Sequence, residues 1–303
     1  MSEKIIETEG LTVYYGKHRG ILDVSLTVEK GEVFGFLGPN GAGKTTTQRV
    51  LLDVIRPTAG RATVFGLDTQ AQGVELRRRV GYLPGELALY TNMRVSGFFE
   101  MYEYLRGDNG SPGYWRELAQ RLDLDTRRKI ANLSRGNKQK VGVVAAFMNR
   151  PDLLILDEPT SGLDPLVQQT VLDMVREAKA DGRTVFFSSH ILSEVQAVCD
   201  RVGIIREGQL VTTQRVEALM RQRMNRLNLT FDALPPDGIF DIDGVAELQR
   251  SEQSIMLEVR ENLPQVLMTA AQHGIRDIET INVSLEEVFL AYYGRGNGGN
   301  DNV

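Results

Sequence analysis

We predict an α/β fold for this chain from two features of its sequence. The first is a short apolar run at 33–37 that ends in a glycine-rich loop and continues into a helical pattern. The second is the recurrence of such runs at 153–156 and 184–189, each ending in polar residues, with a helical stretch between them. Buried strands that alternate with helices are typical of α/β domains.

The composition indicates a packed globular chain without broad affinity for nucleic acid. Of its 303 residues, 42% are hydrophobic and 25% charged, which suits one large domain plus a smaller one. The net charge of −5 argues against nonspecific binding to nucleic acid, so we expect no nucleic-acid partner. No apolar run approaches the ~20 residues that span a bilayer. A role at a membrane would therefore depend on a partner.

The glycine-rich loop at 38–45 predicts a polyphosphate site. Its sequence, GPNGAGKT, fills every fixed position of the motif G-x-x-x-x-G-K-[ST]. Glycines let backbone N–H groups wrap a polyphosphate, and the helix start adds free donors and the positive end of its dipole. We expect Lys44 to reach the β- and γ-phosphates and Thr45 to hold Mg²⁺ through its hydroxyl. The alternative, an ordinary glycine-rich turn, leaves the filled positions unexplained.

Two strands precede the loop and flank a pair of aromatic residues. Residues 5–14 and 24–28 alternate in polarity, which predicts strands. Tyr14 ends the first of these predicted strands, and Tyr15 follows it, ahead of the second strand. An aromatic ring ahead of a phosphate loop can stack on adenine, but a ring at a strand edge has the same spacing, so both interpretations stay open here. Further strands are predicted at 62–65 and 80–83.

Residues 86 to about 150 are predicted to form a helical insertion in the α/β domain. Its first part, 86–105, is aromatic and helical in pattern, and side chains at that spacing usually pack in a core. Farther along, Ser134 has the residue type of a helix cap, which would leave backbone N–H groups free for an anion; a plain cap is the alternative. The residues expected in the core are Phe98, Phe99, Tyr102 and Leu105.

Two acids end the apolar strand at 153–156. Asp157 follows the buried run directly, and a carboxylate there, in a chain with a phosphate loop, is placed to support Mg²⁺. Because the backbone turns at a strand end, Glu158 can approach the same site and polarise water for attack on the γ-phosphate. Two solvated acids that open a loop are the alternative interpretation.

Two further features follow along the chain. Asp164 and Pro165 have the residue types of an N-cap and a first helical position. His190 follows the apolar strand at 184–189, as Glu158 follows its own strand. A single histidine is more often structural than functional. Ligands of open α/β sheets bind beyond the carboxyl ends of strands, however, and this makes His190 a candidate site residue.

In this order the motifs resemble those of the nucleotide-binding subunit of an ABC transporter. The resemblance spans roughly residues 4–220, with Walker A at 38–45, a signature at 133–137, Walker B at 153–158 and a D-loop at 161–164. It implies a phosphate-loop NTPase core, an antiparallel β subdomain, and an ATPase that uses Mg²⁺. It assigns catalysis to Glu158 and His190, metal binding to Thr45 and Asp157, and nucleotide binding to Tyr15, Gly38, Pro39, Asn40, Gly41, Ala42, Gly43, Lys44, Thr45, Thr46, Ser134, Gly136 and Asp164.

The chain departs from the family pattern at two places. The signature reads LSRGN, so Arg135 replaces a glycine and Asn137 a glutamine, while the serine and the second glycine remain. Gly85 stands where the family has the Q-loop glutamine and has no side chain to offer the metal. Either Glu86 replaces that glutamine as a metal ligand, or the contact between this loop and the metal is weaker in this chain.

The resemblance also implies partners. Two copies of the domain would sandwich two ATP molecules, each touching the Walker loop of one copy and the signature of the other. A separate membrane permease would seat a short helix against the insertion, with Leu87, Leu89 and Tyr90 as candidate apolar anchors; core packing is the alternative for each. The subunit is expected in the cytoplasm, peripheral on the cytoplasmic face of the cell membrane.

The composition changes beyond residue 220, and we predict domains at 1–220 and 221–294 and a disordered tail at 295–303. Residues 284–293 begin with a capping box and resemble a segment of drug and lipid exporter ATPases whose permease is a separate chain. This favours export of a drug, lipid or other hydrophobic or amphipathic substrate. The alternatives are an importer subunit and a non-transport ATPase of the same family acting on nucleic acid or the ribosome. The second domain is predicted to be α+β, with strands at 227–231, 246–249, 254–259 and 276–281 and a helix at 263–272.

Overall fold

The structure is a computed structural model, and it describes residues 3–107, 112–221 and 225–281. The chain divides into two compact units, with the boundary between Val216 and Glu217. The domain boundary between residues 220 and 221 that the sequence suggests stays a prediction. The predicted capping box and exporter-like segment at 284–293 and the predicted tail at 295–303 lie outside the described residues.

The first unit begins with two long strands and then alternates strands with helices. In chain order its elements are β1 (Lys4–Tyr15), β2 (His18–Glu29), β3 (Val33–Leu37), α1 (Lys44–Leu51), β4 (Ala59–Val64), β5 (Leu67–Asp68), α2 (Gly73–Arg78), β6 (Val80–Leu83), α3 (Val95–Arg106), α4 (Trp115–Arg121), α5 (Arg135–Phe147), β7 (Leu153–Asp157), α6 (Pro165–Ala180), β8 (Thr184–Ser189), α7 (Leu192–Val198), β9 (Arg201–Arg206), β10 (Gln209–Arg215) and α8 (Val216–Arg221), which crosses the boundary.

An antiparallel sheet forms one layer of this unit, with strand order β2-β1-β4-β5. In β2, the side chains of Val24, Leu26 and Val28 are buried and alternate with more exposed residues. Such alternation is expected where a sheet covers a core with only one face. The predicted antiparallel β subdomain is therefore present.

A second sheet has the order β10-β9-β3-β8-β7-β6, and its strands are parallel except for β10. Every residue of β3, β7 and β8 is buried. Strands that are covered on both faces read as continuous apolar runs, which is why these three segments could be recognised in the sequence. Because β8 lies between β3 and β7, the residues that follow all three strands meet at one edge of the sheet.

One apolar core connects the two sheets and the first helix. It includes Ile6 and Val28 of the antiparallel sheet, Val50 of α1, and Phe34 and Phe186 of the parallel sheet. The rings of Phe34 and Phe186 stack with centroids 5.7 Å apart. The packing fixes α1 against the end of β3, and so it also fixes the loop between them.

The helical insertion is present, but two expectations about it are wrong. Residues 86–94 are not helical, and α3 begins only at Val95, because the backbone of this stretch pairs with residues 129–131 instead. Ile130 N donates to Met93 O at 2.9 Å and Ala131 N to Thr91 O at 2.9 Å. Leu105 is 71% exposed rather than core. In that last turn of α3, the side chain that reaches the sheet is Arg106, whose Nη1 donates to Val80 O at 2.7 Å.

The second unit is an α+β structure with its own core. Its antiparallel sheet has the order β12-β13-β11-β14. Apolar residues of the central strands pack with the helix side chains Val266 and Ala270. The elements agree with the predicted ones and are β11 (Asn225–Phe231), β12 (Val245–Arg250), β13 (Ser254–Val259), α9 (Leu263–Gln272) and β14 (Ile275–Ile281).

Across residues 3–107, 112–221 and 225–281, none of the helices combines the length and the apolar character that crossing a bilayer requires.

The buried side chain of Gln48 on α1 gives a prediction about stability. Gln48 is 0% exposed, and among the described residues neither Nε2 nor Oε1 has a hydrogen-bond partner. Burying an unpaired polar group costs about 1–3 kcal/mol. We therefore expect Gln48→Leu to raise the free energy of unfolding by about this amount, measured by urea titration.

Gln139→Leu is the matched control for this substitution. Gln139 is also buried, but its Nε2 donates to Glu158 O and Pro159 O, each at 3.2 Å. Its replacement leaves two carbonyl acceptors without their donor and should lower the free energy of unfolding. A free energy of unfolding that falls equally in both variants would contradict the interpretation of Gln48.

Candidate functional site

The glycine loop between β3 and α1 has a backbone that only glycine adopts without strain. Gly41 and Gly43 have φ angles of 80° and 109°, in the left-handed region. A Cβ atom at Gly43 would also lie 2.6 Å from Cγ2 of Ile21. At Gly38, an added Cβ would collide with Ile205 O. The loop therefore lies directly against neighbouring strands, and its glycines are required by both conformation and space.

Lys44 begins α1 and is held inside the loop. Its Nζ donates to Gly38 O at 2.6 Å and to Pro39 O at 3.2 Å, and the side chain is 5% exposed. Nζ also lies 3.6 Å from Oε1 of Glu158. Burial lowers the pKa of the Lys44 ammonium, and the carboxylates of Glu158 and Asp157 oppose that shift. The ammonium is thus fixed where the loop would receive an anion.

Asp157 ends β7 as a buried carboxylate, 2% exposed, that contacts the loop. Thr45 Oγ1 donates to its Oδ2 at 2.6 Å, and Ser188 Oγ donates to its Oδ1. A hydroxyl and a carboxylate are the oxygen donors that Mg²⁺ prefers. Within the described ranges, no group of three or more His, Cys, Asp or Glu side chains is arranged to hold a metal. A Mg²⁺ ion here would therefore complete its ligands with phosphate oxygens and water, as is usual for this ion.

Glu158 faces the same cavity as Asp157, although neighbouring residues of a strand point in opposite directions. The reason is its backbone, which has a φ of 49° and turns out of the strand. Glu158 N is held by Ser188 O at 3.1 Å. Nδ1 of His190, the residue that follows β8, lies 2.9 Å from Oε1 of Glu158. The two predicted catalytic side chains are therefore in contact.

A cavity of about 560 Å³ opens onto the glycine loop and onto Asp157 and Glu158. The predicted site residues Gly38, Pro39, Ala42 and His190 are not among its lining residues. Tyr15, the last residue of β1, lines the cavity, and its hydroxyl lies 3.3 Å from Oγ1 of Thr46. Stacking of its ring on a nucleotide stays a prediction. Glu86 also lines the cavity, whereas Gly85 lies so close to Asp157 that an added Cβ would be 3.0 Å from Oδ2. The lining residues are Tyr15, Arg19, Gly20, Asn40, Gly41, Gly43, Lys44, Thr45, Thr46, Arg49, Gly85, Glu86, Asp157 and Glu158.

Three lining residues were not predicted from the sequence. Arg49 lies one helical turn after Thr45 on α1, so the helical spacing could have indicated it. Arg19 and Gly20 belong to β2, and only the packing of the antiparallel sheet brings them to the loop. Spacing in the sequence gives no signal for them.

The signature residues and Asp164 are not among the residues that line this cavity. Ser134 is the N-cap of α5, and its Oγ accepts from Asn137 N at 3.3 Å. Asp164 is the N-cap of α6, and its Oδ1 accepts from Val167 N at 3.1 Å. An added Cβ at Gly136 would lie 2.8 Å from Gly162 O, so the signature packs against the D-loop. Their contact with a nucleotide stays a prediction.

Comparisons with known proteins agree with this arrangement. A family model described as ABC transporter matches residues 21–161. The ABC transporter ATP-binding protein NatA of Bacillus subtilis (strain 168) is 38% identical, covering 70% of this chain and 89% of that protein. The bacitracin transport ATP-binding protein BcrA of Bacillus licheniformis is 36% identical, covering 75% of this chain and 74% of that protein. A solved structure of an ATP-binding subunit of an ABC transporter superposes with a TM-score of 0.66 at 29% identity, covering 72% of this chain and 92% of that one.

The backbone of the loop gives a prediction about ATP affinity. Gly43→Ala forces a side chain into the left-handed region, at a cost of about 1–3 kcal/mol. If the loop leaves its conformation, ATP affinity should fall about 5- to 150-fold, measured by calorimetry with a non-hydrolysable analogue.

Gly97→Ala is the control for this change. Gly97 lies within α3, and an added Cβ would meet only Cε of Met93 at 3.9 Å. Its ATP affinity should match that of the unmodified chain. Equal affinities for all three proteins would show that the glycine loop does not bind the nucleotide.

Proposed function

This chain belongs to the ABC transporter family of ATP-binding proteins, and we propose that it powers export of a hydrophobic or amphipathic substrate through a separate membrane permease. It is an ATPase subunit. The observation that carries the proposal is the contact between the phosphate loop and the acids that end β7. There, Thr45 Oγ1 lies 2.6 Å from Oδ2 of Asp157, and Nζ of Lys44 lies 3.6 Å from Oε1 of Glu158.

Lys44 and the loop would bind the phosphates of ATP. The ammonium carries three donors, and two of them are directed at the carbonyls of Gly38 and Pro39. Nζ also lies 3.6 Å from Oε1 of Glu158, so a phosphate oxygen would compete with that carboxylate for the third donor. The first N–H groups of α1 and its helix dipole attract negative charge to the same place. Thr45 and Asp157 would hold Mg²⁺, which supplies charge neutralisation at the β- and γ-phosphates.

Glu158 is the proposed general base. Its carboxylate opens into the cavity and can accept the proton of a water that attacks the γ-phosphate. His190 contacts the same carboxylate at 2.9 Å and would hold it toward the phosphate. Nζ of Lys44 lies 3.6 Å from the same oxygen, Oε1, and balances its negative charge. The three side chains therefore place a base, an orienting group and a cation around one position.

A second copy of the chain is the proposed source of the remaining nucleotide contacts. In one copy, the signature residues Ser134 and Gly136 pack beside the D-loop and not in the phosphate cavity. Arg135 is exposed at the start of α5. A head-to-tail dimer would bring this surface to the ATP of the other copy, as the family resemblance implies. The complete site would then need two chains.

An apolar groove of about 290 Å³ lies beside the nucleotide cavity and is the proposed seat of the permease helix. Leu87 and Leu89 line it. Tyr90, the third candidate anchor, is 64% exposed, with its ring centroid 6.5 Å from that of Phe98. These residues are therefore available for contact, although Leu87 also packs closely on Gly142 of α5.

A short segment joins this groove to the nucleotide cavity. Pro84 lines the groove and Gly85 lines the cavity, so the two sites share one stretch of backbone. Tyr82 lines the groove as well, and burial, helped by the negative charge of Asp157, raises its pKa to about 12. Its phenol is therefore neutral at physiological pH. A rearrangement around the phosphates would shift the wall of the groove and bias the permease between its states.

The same comparisons support the proposed transport role. A relative named for bacitracin transport supports a transport function rather than action on nucleic acid or the ribosome. A subunit that docks on a permease and uses ATP belongs on the cytoplasmic face of the cell membrane. Export is the direction we propose, on the resemblance of residues 284–293 to a segment of exporter ATPases.

We predict that Glu158→Gln retains ATP binding but lowers kcat for hydrolysis by about 10²- to 10⁴-fold, because an amide cannot accept the proton of water. Stopped-flow phosphate release gives kcat, and calorimetry gives ATP affinity. Glu100→Gln, an exposed acid on α3, is the control and should keep normal kcat. Undiminished hydrolysis by the Glu158 variant would place the base elsewhere.

We predict that Ala88→Glu abolishes coupled transport in membranes that contain the permease, while the isolated chain binds ATP normally. Ala88 is exposed and lines the groove, so the variant adds a charge there without removing a packed side chain. Tyr104→Glu, at an 86% exposed position of α3 that does not line the groove, is the control. If both variants transport normally, the permease docks on another surface.

A further inference from the structure

A buried carboxylate behind the proposed catalytic pair connects the two loops that carry that pair. Glu194 lies in the first turn of α7 and is 6% exposed. Its Oε1 accepts from Thr160 Oγ1 at 2.5 Å, and its Oε2 accepts from Ser189 Oγ at 2.7 Å. Both hydroxyls are themselves buried, with exposures of 2% and 1%. The three residues therefore form a closed, dry bridge.

The ends of this bridge lie next to the proposed catalytic residues. Thr160 is two residues after Glu158, and Ser189 directly precedes His190. In front of the bridge, Nδ1 of His190 contacts Oε1 of Glu158 at 2.9 Å. Two side-chain connections thus join the same pair of loops, in addition to the backbone hydrogen bond from Glu158 N to Ser188 O at the strand ends. One faces the nucleotide cavity, and the other is buried in the protein.

The chemistry of the bridge requires a carboxylate. Two hydroxyls donate to one side chain, so that side chain needs two acceptor oxygens, which glutamate has and glutamine lacks. Ser189 Oγ accepts from Ile191 N at 2.9 Å, and of the two acceptors within reach of its proton, Oε2 of Glu194 at 2.7 Å is nearer than Ile191 O at 3.3 Å. The position near the start of α7 places the negative charge at the positive end of the helix. Burial of the charge is thereby compensated without a basic side chain.

We infer that Glu194 is a positioning residue for ATP hydrolysis, which holds the loop of Glu158 and the loop of His190 at their working separation. The inference rests on the proposed roles of Glu158 and His190. Glu194 does not line the nucleotide cavity, so it acts through those two residues and not on ATP. Thr160 directly precedes the D-loop at 161–164, so a displacement of the D-loop that moves Thr160 would be carried through the bridge to His190.

The test compares Glu194→Ala and Glu194→Gln in the full chain. Misplaced catalytic groups cost about 10²-fold in rate, so kcat should fall by about 10- to 100-fold in Glu194→Ala. The ATP dissociation constant should not change. Glu194→Gln keeps one acceptor oxygen, so its kcat should fall less than that of Glu194→Ala. If Glu194→Ala does not fold, Thr160→Val and Ser189→Ala are the alternative variants, because each removes one arm of the bridge. Each should lower kcat and leave the ATP dissociation constant unchanged.

Glu32→Gln is the matched control, because Glu32 is also a buried glutamate but lies at the opposite end of β3, paired with Arg201 at 2.9 Å. It should lower the melting temperature and leave kcat unchanged. An Ala or Gln variant of Glu194 that loses only stability, as Glu32→Gln does, would overturn the inference.

A double-mutant cycle separates positioning from a general structural role. If Glu194 acts through Glu158 and His190, the loss of single-turnover rate caused by Glu194→Gln should be smaller in the His190→Ala background than in the unmodified chain. A loss that is equally large in both backgrounds would overturn the inference. If His190→Ala and Glu158→Gln both hydrolyse ATP normally, the proposed function fails instead, and this outcome is distinct from normal kcat in the Glu194 variants alone.

Discussion

The hydrogen bond from Thr45 to Asp157 joins two parts of the chain that are distant in sequence, and the candidate site depends on it. Thr45 lies in the first turn of α1, directly after the glycine loop that follows β3, and Asp157 ends β7, with β8 between β3 and β7. The contact exists because both strands are buried and parallel and their carboxyl ends meet at one edge. Any ligand of this edge meets hydroxyl, carboxylate and ammonium groups together, which is the chemistry of a phosphate and its metal.

The same sheet edge connects the site to two other regions. Behind it, Glu194 bridges Thr160 and Ser189 in a buried contact. Beside it, the backbone at 84–85 passes from the apolar groove to the nucleotide cavity. Under the proposed function, a rearrangement at the phosphates would meet the buried bridge on one side and would reach the apolar groove on the other.

The sequence predicted those parts of the site that local pattern determines. The glycine loop is a continuous motif, and Asp157 and Glu158 directly follow an apolar run. Arg19 was missed because only sheet packing brings it to the loop. The helical spacing at 86–94 was misleading because the backbone there pairs with residues 129–131. Glu194 has no motif, since its role comes from two hydroxyls that lie elsewhere in the chain.

A crystal structure of the full chain with Mg²⁺ and a non-hydrolysable ATP analogue tests the central claim most directly. The account predicts the β- and γ-phosphates in the loop at 38–45, within hydrogen-bond distance of Nζ of Lys44. It also predicts a metal held by Thr45 and Asp157, with Glu158 facing the γ-phosphate. A nucleotide bound outside this cavity, or a metal that contacts neither Thr45 nor Asp157, would contradict it.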